Sequence, residues 1–192
     1  MKKFLAILIL IFTLQTPSQA DDIRDFQIEG ISIGDSLLDF FSEDEIKENM
    51  LTDYPSSKKF SRLNHTSPKY ETYDGMQFHF KTKDNNYIIY EFSGQIFYPD
   101  SIESCYDKKD KVVEELTELF KEAKIDDVGT VKQPDDKTGE STQNIVYFNF
   151  KSGDSVQIAC FDWSKKKGYQ DHLRISIASF KVINWFRNEA YK

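Results

Sequence analysis

Short segments of alternating apolar and polar residues, joined by tight turns, constrain the fold of this chain more than any other feature. The first group runs from Met76 to Tyr98, with turn residues at Asp84-Asn85-Asn86 and at Ser93-Gly94. Strands joined by such turns pair antiparallel, because the connection is too short for a helical crossover. The predicted strands, which form a meander, cover residues 76–81, 87–92 and 95–98.

A second group of three alternating segments lies near the C-terminus. Turn residues separate its members at Ser152-Gly153-Asp154 and at 165–168. The alternating sets are Val146-Phe148-Phe150, Val156-Ile158-Cys160 and Leu173-Ile175-Ile177. The same reasoning predicts a second three-strand meander, in which Cys160 points inward.

A long helix is predicted between the two meanders. It begins after Pro99-Asp100-Ser101, and apolar residues from Ile102 to Ala123 recur three or four positions apart. Cys105 lies one residue from this apolar stripe, at the edge of the expected core. A closing amphipathic helix is predicted from the spacing of Val182, Phe186 and Ala190.

The N-terminal part is predicted to hold a helix that begins at Asp35 or Ser36. Either side chain can accept a hydrogen bond from a first-turn N–H group. Its apolar face would consist of Leu37, Leu38, Phe40 and Phe41. A short second helix is expected from Ser42, whereas residues 52–75 and 129–143 are predicted to be irregular or loop.

Helices that do not alternate singly with strands argue against a parallel, doubly wound sheet. The predicted fold class is therefore α+β, with an antiparallel sheet from two three-strand meanders. A central helix, an N-terminal helix and a C-terminal helix pack on it. No internal repeat is visible in the sequence.

Residues 1–20 have the pattern of a cleavable secretory signal. Lys2 and Lys3 precede the apolar run from Phe4 to Leu14, and Ser18-Gln19-Ala20 supplies small residues for cleavage. The run is too short for a membrane span, so we expect cleavage after Ala20, with a retained N-terminal anchor as the alternative. The protein is then periplasmic or secreted, and residues 21–192 form a single exported domain.

The charge of the chain argues against two classes of partner. Cleavage would remove Lys2 and Lys3 from the 25 basic residues and none of the 32 acidic ones, which takes the net charge from −7 to about −9. Negative charge repels nucleic-acid phosphates and anionic lipid headgroups. We therefore expect no nucleic-acid partner and no stable membrane insertion after signal cleavage.

Cys105 and Cys160 are the two cysteines of the chain. In an oxidising compartment a disulfide between them is the natural expectation, since it would fasten the central helix to the sheet. Two buried free thiols, or a redox or metal site, are the alternatives, although no CxxC spacing supports the last.

One short motif points to an enzyme. Gly34-Asp35-Ser36-Leu37 resembles the nucleophile block of the GDSL hydrolases, which implies Ser36 as nucleophile and His172 as base. The resemblance covers four residues. The Gly-x-Asn-Asp block of that family is missing, and the acid nearest His172 is the adjacent Asp171, where the family pattern would place it at Tyr169. The alternative is a glycine turn and an N-cap before a helix.

The remaining histidines and carboxylates suggest no metal or cofactor. His79 falls on the predicted wet face of a strand and His65 in an irregular segment, and neither has a ligand at metal-binding spacing. Both are expected to be exposed. Aromatic side chains are numerous on both sides of the strand alternation, among them Tyr147, Phe161 and Trp163. They either line a groove or lie in a sheet covered on both faces.

A longer resemblance carries no activity with it. The segment from Ile28 to Asp39, together with the first meander and the Cys105 helix, resembles uncharacterised exported proteins of marine alphaproteobacteria. The sequence thus favours an exported domain, without cofactor, that binds a protein or a small molecule. A hydrolase that uses Ser36 is the second hypothesis.

Overall fold

An eight-stranded antiparallel sheet forms the centre of the molecule. The computed structural model describes residues 23–134 and 136–192, so the predicted signal at residues 1–20 lies outside the described part. The strands are β1 (Met50–Leu51), β2 (Phe60–His65), β3 (Gly75–Lys81), β4 (Ile89–Phe97), β5 (Lys124–Lys132), β6 (Thr142–Asn149), β7 (Ser155–Asp162) and β8 (His172–Ala178). Their order across the sheet is β1-β2-β3-β4-β8-β7-β6-β5. The predicted α+β class with an antiparallel sheet is confirmed.

Two halves of similar construction meet in this sheet. In the first half α1 (Glu43–Asn49) precedes β1 to β4, and in the second α2 (Ile102–Leu119) precedes β5 to β8. The halves join where β4 pairs antiparallel with β8. The chain ends in α3 (Phe180–Trp185), which continues as a π-helical turn over Phe186–Ala190. Each meander therefore has four strands rather than the predicted three.

The capping predictions fit the observed helix starts. Ser101 accepts a hydrogen bond from the Ser104 N–H at 3.3 Å at the start of α2. Ser42 and Glu45 cap α1 reciprocally, as a capping box does. Ser36 also caps, but only a single 3-10 turn follows, and Leu38 is 42% exposed. The predicted N-terminal helix is therefore wrong in length, since one turn buries only Leu37.

Strand β4 corrects the predicted turn at Ser93-Gly94. The strand passes through both residues without interruption. A glycine stands there because the ring of Tyr73 lies on the backbone: a Cβ atom on residue 94 would be 2.3 Å from Tyr73 Cδ1. The glycine permits close packing and not a change of direction.

Strand β2 lies within residues 52–75, for which the sequence predicts irregular structure, and β5 overlaps the start of the predicted loop at 129–143. In β2, Phe60 packs beneath α3 while Leu63 belongs to the core under α2, so the buried residues do not alternate simply. In β5 a bulge between Asp127 and Gly129 shifts the register, and Gly129 has a φ of 67°. These irregularities hide the strand period.

The two faces of the sheet differ in chemistry. One face carries Phe78, Phe92 and Ile158 and is covered by α2, which contributes Val112 and Leu116 to a common apolar core. We call the opposite side the polar face. Two smaller apolar clusters lie on the polar face, one centred on Trp185 of α3 and the other made of Ile145, Ala159 and Phe161.

The cysteine pair links α2 to the sheet. Cys105 and Cys160 have no exposed surface, their Cα atoms are 6.0 Å apart, and their sulfurs lie at disulfide distance. Cys160 points into the core as predicted. Among the described residues no cysteine is free.

The packing of Tyr73 on β4 can be tested by substitution. Gly94→Ala is expected to lower the free energy of unfolding by about 1–3 kcal/mol, because the new methyl group overlaps the Tyr73 ring. Gly75→Ala is the matched control, since its nearest neighbour would lie at an ordinary 3.5 Å. Urea unfolding of both variants checks this. Equal stabilities would contradict the steric explanation.

Candidate functional site

A row of polar side chains crosses the polar face. Asn64, Gln77, Ser93, Ser176, Gln157, Tyr147 and Asp126 pair in this order across β2, β3, β4, β8, β7, β6 and β5. Because directly paired residues project to the same side of a sheet, these seven side chains form a continuous strip. Hydrogen bonds join some neighbours, such as Gln157 Nε2 to Tyr147 Oη at 2.9 Å.

The strip, apart from the fully buried Ser93, lines the floor of a long hollow that we call the trough. It consists of two hollows of about 710 Å³ and about 940 Å³, which share Arg62, Gln77, Trp163 and Arg174. The first hollow reaches the residues of the π-helical turn and Tyr191. The second reaches the loop between β7 and β8, where Tyr169 is 64% exposed.

A buried chain of hydrogen bonds lies at one end of the trough. Glu91 accepts from Nδ1 of His79, and the other ring nitrogen of His79 contacts the hydroxyl of Tyr54. His79 is 2% exposed, so the prediction that it is exposed is wrong: Tyr54 and Phe186 of the π-helical turn cover the strand face that the alternation predicted to be solvent-exposed.

This chain of three side chains holds a neutral phenol. Burial raises the pKa of Tyr54 well above its ordinary value, because a phenolate would lose its hydration. His79 Nδ1 bonds to the Glu91 carboxylate, so Nε2 is the ring nitrogen left for the Tyr54 hydroxyl. The arrangement fixes side chains beneath the trough and does not activate Tyr54 as a nucleophile.

An aromatic cluster surrounds Phe161 at the other end of the trough. The ring of His172 stacks on Phe161 with centroids 4.7 Å apart, and Trp163 stacks at 6.0 Å. The guanidinium carbon of Arg174 lies 4.8 Å from the Phe161 centroid, a cation–π distance. Burial lowers the pKa of Arg174, and the nearby Glu91 carboxylate opposes that change.

The charge of the trough differs from that of the whole chain. The chain carries a net charge of −7. Among the described residues, those that line the second hollow include Arg62 and Arg174 but no carboxylate side chain. Arg62 is itself paired with Asp53 at 2.7 Å, whereas amide side chains such as Gln95 make up much of the remaining wall.

His172 is held neutral by its surroundings. Burial lowers its pKa to about 4, and the hydrogen bond from Nδ1 to the Gln170 carbonyl, 2.9 Å long, opposes this only in part. In the unfolded chain a histidine pKa is about 6.5. The unfolded state therefore binds a proton between these two values while the folded state does not.

The stability of the protein is expected to fall as the pH is lowered from about 6.5 to about 4. His172→Phe cannot titrate, so the stability of wild type relative to this variant should fall by about 3 kcal/mol across that window. Urea unfolding at several pH values measures the difference. A difference that does not change with pH would contradict the buried, neutral state of His172.

The fold does not bring Ser36 and His172 together. Ser36 forms an isolated bridge with Ile88 just before β4, whereas His172 pairs with Phe97 at the far end of that strand. At a rise of about 3.3 Å per residue these points are about 30 Å apart along the strand. Ser36 Oγ instead donates to the Asn86 carbonyl at 2.6 Å and accepts from the Leu38 N–H.

Asp171, the acid next to His172, has a structural role and does not orient a catalytic histidine. Asp171 accepts a hydrogen bond from the backbone N–H of Trp163 at 2.7 Å and so closes the loop between β7 and β8. His65 lies against Phe41 and bonds to Tyr70. Within residues 23–134 and 136–192 no three His, Cys, Asp or Glu side chains are grouped as metal ligands.

The sequence alone does not predict the polar strip and the Phe161 cluster as a site, although it indicates Phe161, Trp163 and Tyr147 as residues that could line a groove. None of the helices in the described part of the chain has the length and apolar character needed to cross a bilayer.

No protein-family model, no curated protein and no solved structure matches this chain.

Proposed function

We propose that this protein is an exported binding domain that holds a segment of a partner polypeptide in the trough on its polar face. The strip of seven polar side chains across seven strands is the observation that carries this proposal. A sheet face that only had to be solvated would need no continuous hollow lined by arginine, tyrosine and tryptophan. Those residue types dominate the energetics of protein interfaces.

The size and lining of the trough favour a polypeptide over a small molecule. Sites for small ligands are mostly apolar clefts of roughly 300–1,000 Å³ that enclose the ligand. The two hollows here are joined and together exceed that range, and amide and charged side chains make up much of their lining. An extended segment can follow the strip, whereas a compact ligand would contact only a part of it.

The face of the sheet is a better docking surface than its free edge. Strand β5 is the outer strand of the second half, and peptides can add to such edges. The bulge at Asp127 and Gly129 and the charged side chains of Lys124 and Lys132 protect this edge. We therefore assign the partner to the trough.

Export and the disulfide belong to the same proposal. The sequence predicts a secretory signal, and the 6.0 Å separation of the Cys105 and Cys160 Cα atoms suits a disulfide formed in the periplasm or outside the cell. Resemblance to uncharacterised exported proteins agrees with this location. The bond fastens α2 behind the sheet, which keeps the trough rigid before a partner arrives.

Selection from a display library of short random peptides tests the proposed function. We expect to select peptides that bind the oxidised full-length protein. The same peptides should bind the Arg174→Gln variant at least about tenfold more weakly, because arginine side chains at the centre of an interface carry much of its energy. Lys111→Gln, which removes the same charge from the exposed side of α2, is the matched control. Failure to select any peptide, or equal binding to both variants, would overturn the proposal.

A further inference from the structure

Three buried polar atoms around Phe161 have no hydrogen-bond partner among the described residues. They are Trp163 Nε1, His172 Nε2 and Arg174 Nε. All three side chains line the second hollow of the trough. A buried polar atom without a hydrogen-bond partner destabilises a folded protein, so three such atoms around one ring indicate a place where another molecule supplies the partners.

The three atoms differ in what they need. The indole nitrogen of Trp163 and Nε of Arg174 both carry hydrogen and can only donate. His172 Nδ1 must carry its ring hydrogen, because its partner is the Gln170 carbonyl oxygen at 2.9 Å. In the neutral ring Nε2 is then an acceptor, so the cluster offers two donors and one acceptor.

We propose that this cluster is a subsite for a carboxamide group, presented by an Asn or Gln side chain or by a peptide bond of the partner polypeptide. The amide oxygen accepts from Trp163 and Arg174, and the amide N–H donates to His172 Nε2. This inference rests on the proposed function, because the amide belongs to the segment held in the trough.

A carboxylate matches the cluster less well than an amide. Its oxygens would accept from Trp163 and Arg174, but it has no hydrogen to donate to His172. Burial keeps the pKa of His172 at about 4, so near neutral pH the ring presents a lone pair that repels the second carboxylate oxygen. The positive charge of Arg174 attracts a carboxylate, which makes acetate the strictest competing probe.

Tyr169 lies beside the cluster. Its ring meets Trp163 edge-on with centroids 5.0 Å apart, and it is largely exposed on the loop between β7 and β8. In this proposal the amide reaches the cluster past the Tyr169 side chain.

The indole N–H signals in a nitrogen–proton NMR spectrum provide the test. Trp163 and Trp185 are the two tryptophans of the chain, and Trp185 Nε1 already donates to Ser57 Oγ at 2.9 Å. The full-length protein is titrated with acetamide, N-methylacetamide, acetone and acetate. The first two represent the side-chain and the backbone amide, acetone accepts only, and acetate adds charge.

We expect at least one amide to shift the Trp163 signal in a saturable way while the Trp185 signal stays in place. The better amide should bind about fivefold more tightly than acetone or acetate, and His172→Phe should remove its advantage over acetone. Whichever amide binds more tightly identifies the source. Tighter binding of acetate, or equal shifts of both indoles, would overturn the proposal.

The outcomes separate this proposal from the proposed function. If peptides are selected that depend on Arg174 but neither amide shifts the Trp163 signal, the subsite is wrong and the binding function stands. If an amide binds as described but no peptide is selected, the subsite stands and the polypeptide partner is wrong.

Discussion

Replacement of Cys105 and Cys160 together by alanine is expected to lower the free energy of unfolding by about 4 kcal/mol. A disulfide between them would close a loop with a sequence separation of 55, and in the chain-entropy model a loop of that length contributes roughly this amount by restricting the unfolded chain. Alanine avoids the buried hydroxyl that serine would add. Because both positions are fully buried, a small cavity adds to the loss.

Urea unfolding with and without reductant measures the contribution of the bond. Reductant should lower the midpoint of the wild type and leave that of the double variant unchanged. A thiol titration of the exported protein should find both thiols blocked until reductant is added. Two free thiols under oxidising conditions, or a double variant as stable as wild type, would contradict the disulfide.

His79→Ala is expected to destabilise the protein by about 3–5 kcal/mol. The substitution leaves the Glu91 carboxylate buried without its partner, and an uncompensated buried charge is strongly unfavourable. The Tyr54 hydroxyl loses its hydrogen-bond partner at the same time. His65→Ala is the control, since His65 is half-buried and bonds to Tyr70 away from the pair.

A double-mutant cycle measures the His79–Glu91 interaction separately from the contribution of each side chain. Combined replacement by His79→Phe and Glu91→Leu should cost less than His79→Ala alone, because the Glu91 carboxylate is then no longer left buried without its histidine partner. Urea unfolding of the single and double variants gives the coupling free energy. Additive effects of the two substitutions would show that the His79–Glu91 contact contributes no more than its separate side chains.

The local elements that the sequence predicted well have signals confined to neighbouring residues. The start of α2 follows Ser101 because a capping side chain and a periodic apolar stripe lie within one segment. The turns around Ser152-Gly153-Asp154 join strands that pair as expected. The positions of Cys105 and Cys160 on opposing elements followed from the same two periods.

The elements that the sequence does not predict depend on contacts with residues that are distant in sequence. Strand β2 has no simple period because α3, more than a hundred residues later, buries Phe60 from one side while the main core buries Leu63 from the other. The sequence around Gly94 predicts a turn, because the contact between residue 94 and the Tyr73 ring is not visible in the sequence. In each case the packing partner, and not the local sequence, decides the conformation.

The trough could not be predicted for a related reason. Its floor depends on the register of seven strands from two meanders, and the pairing of β4 with β8 that aligns them joins residues such as Ser93 and Ser176. The sequence showed aromatic residues on both sides of the alternation. It did not show that Phe161, His172 and Trp163 stack beside Arg174.

The central claim is that the polar face binds the partner, and an NMR footprint of a selected peptide tests it most directly. We predict that the peptide perturbs the Trp163 indole and the side-chain amides of Gln77 and Gln157, which lie on the trough floor. Signals from the exposed side of α2 and from the edge of β5 should not move. A footprint centred on α2 or on the β5 edge, with the Trp163 and Gln157 signals unchanged, would contradict the account.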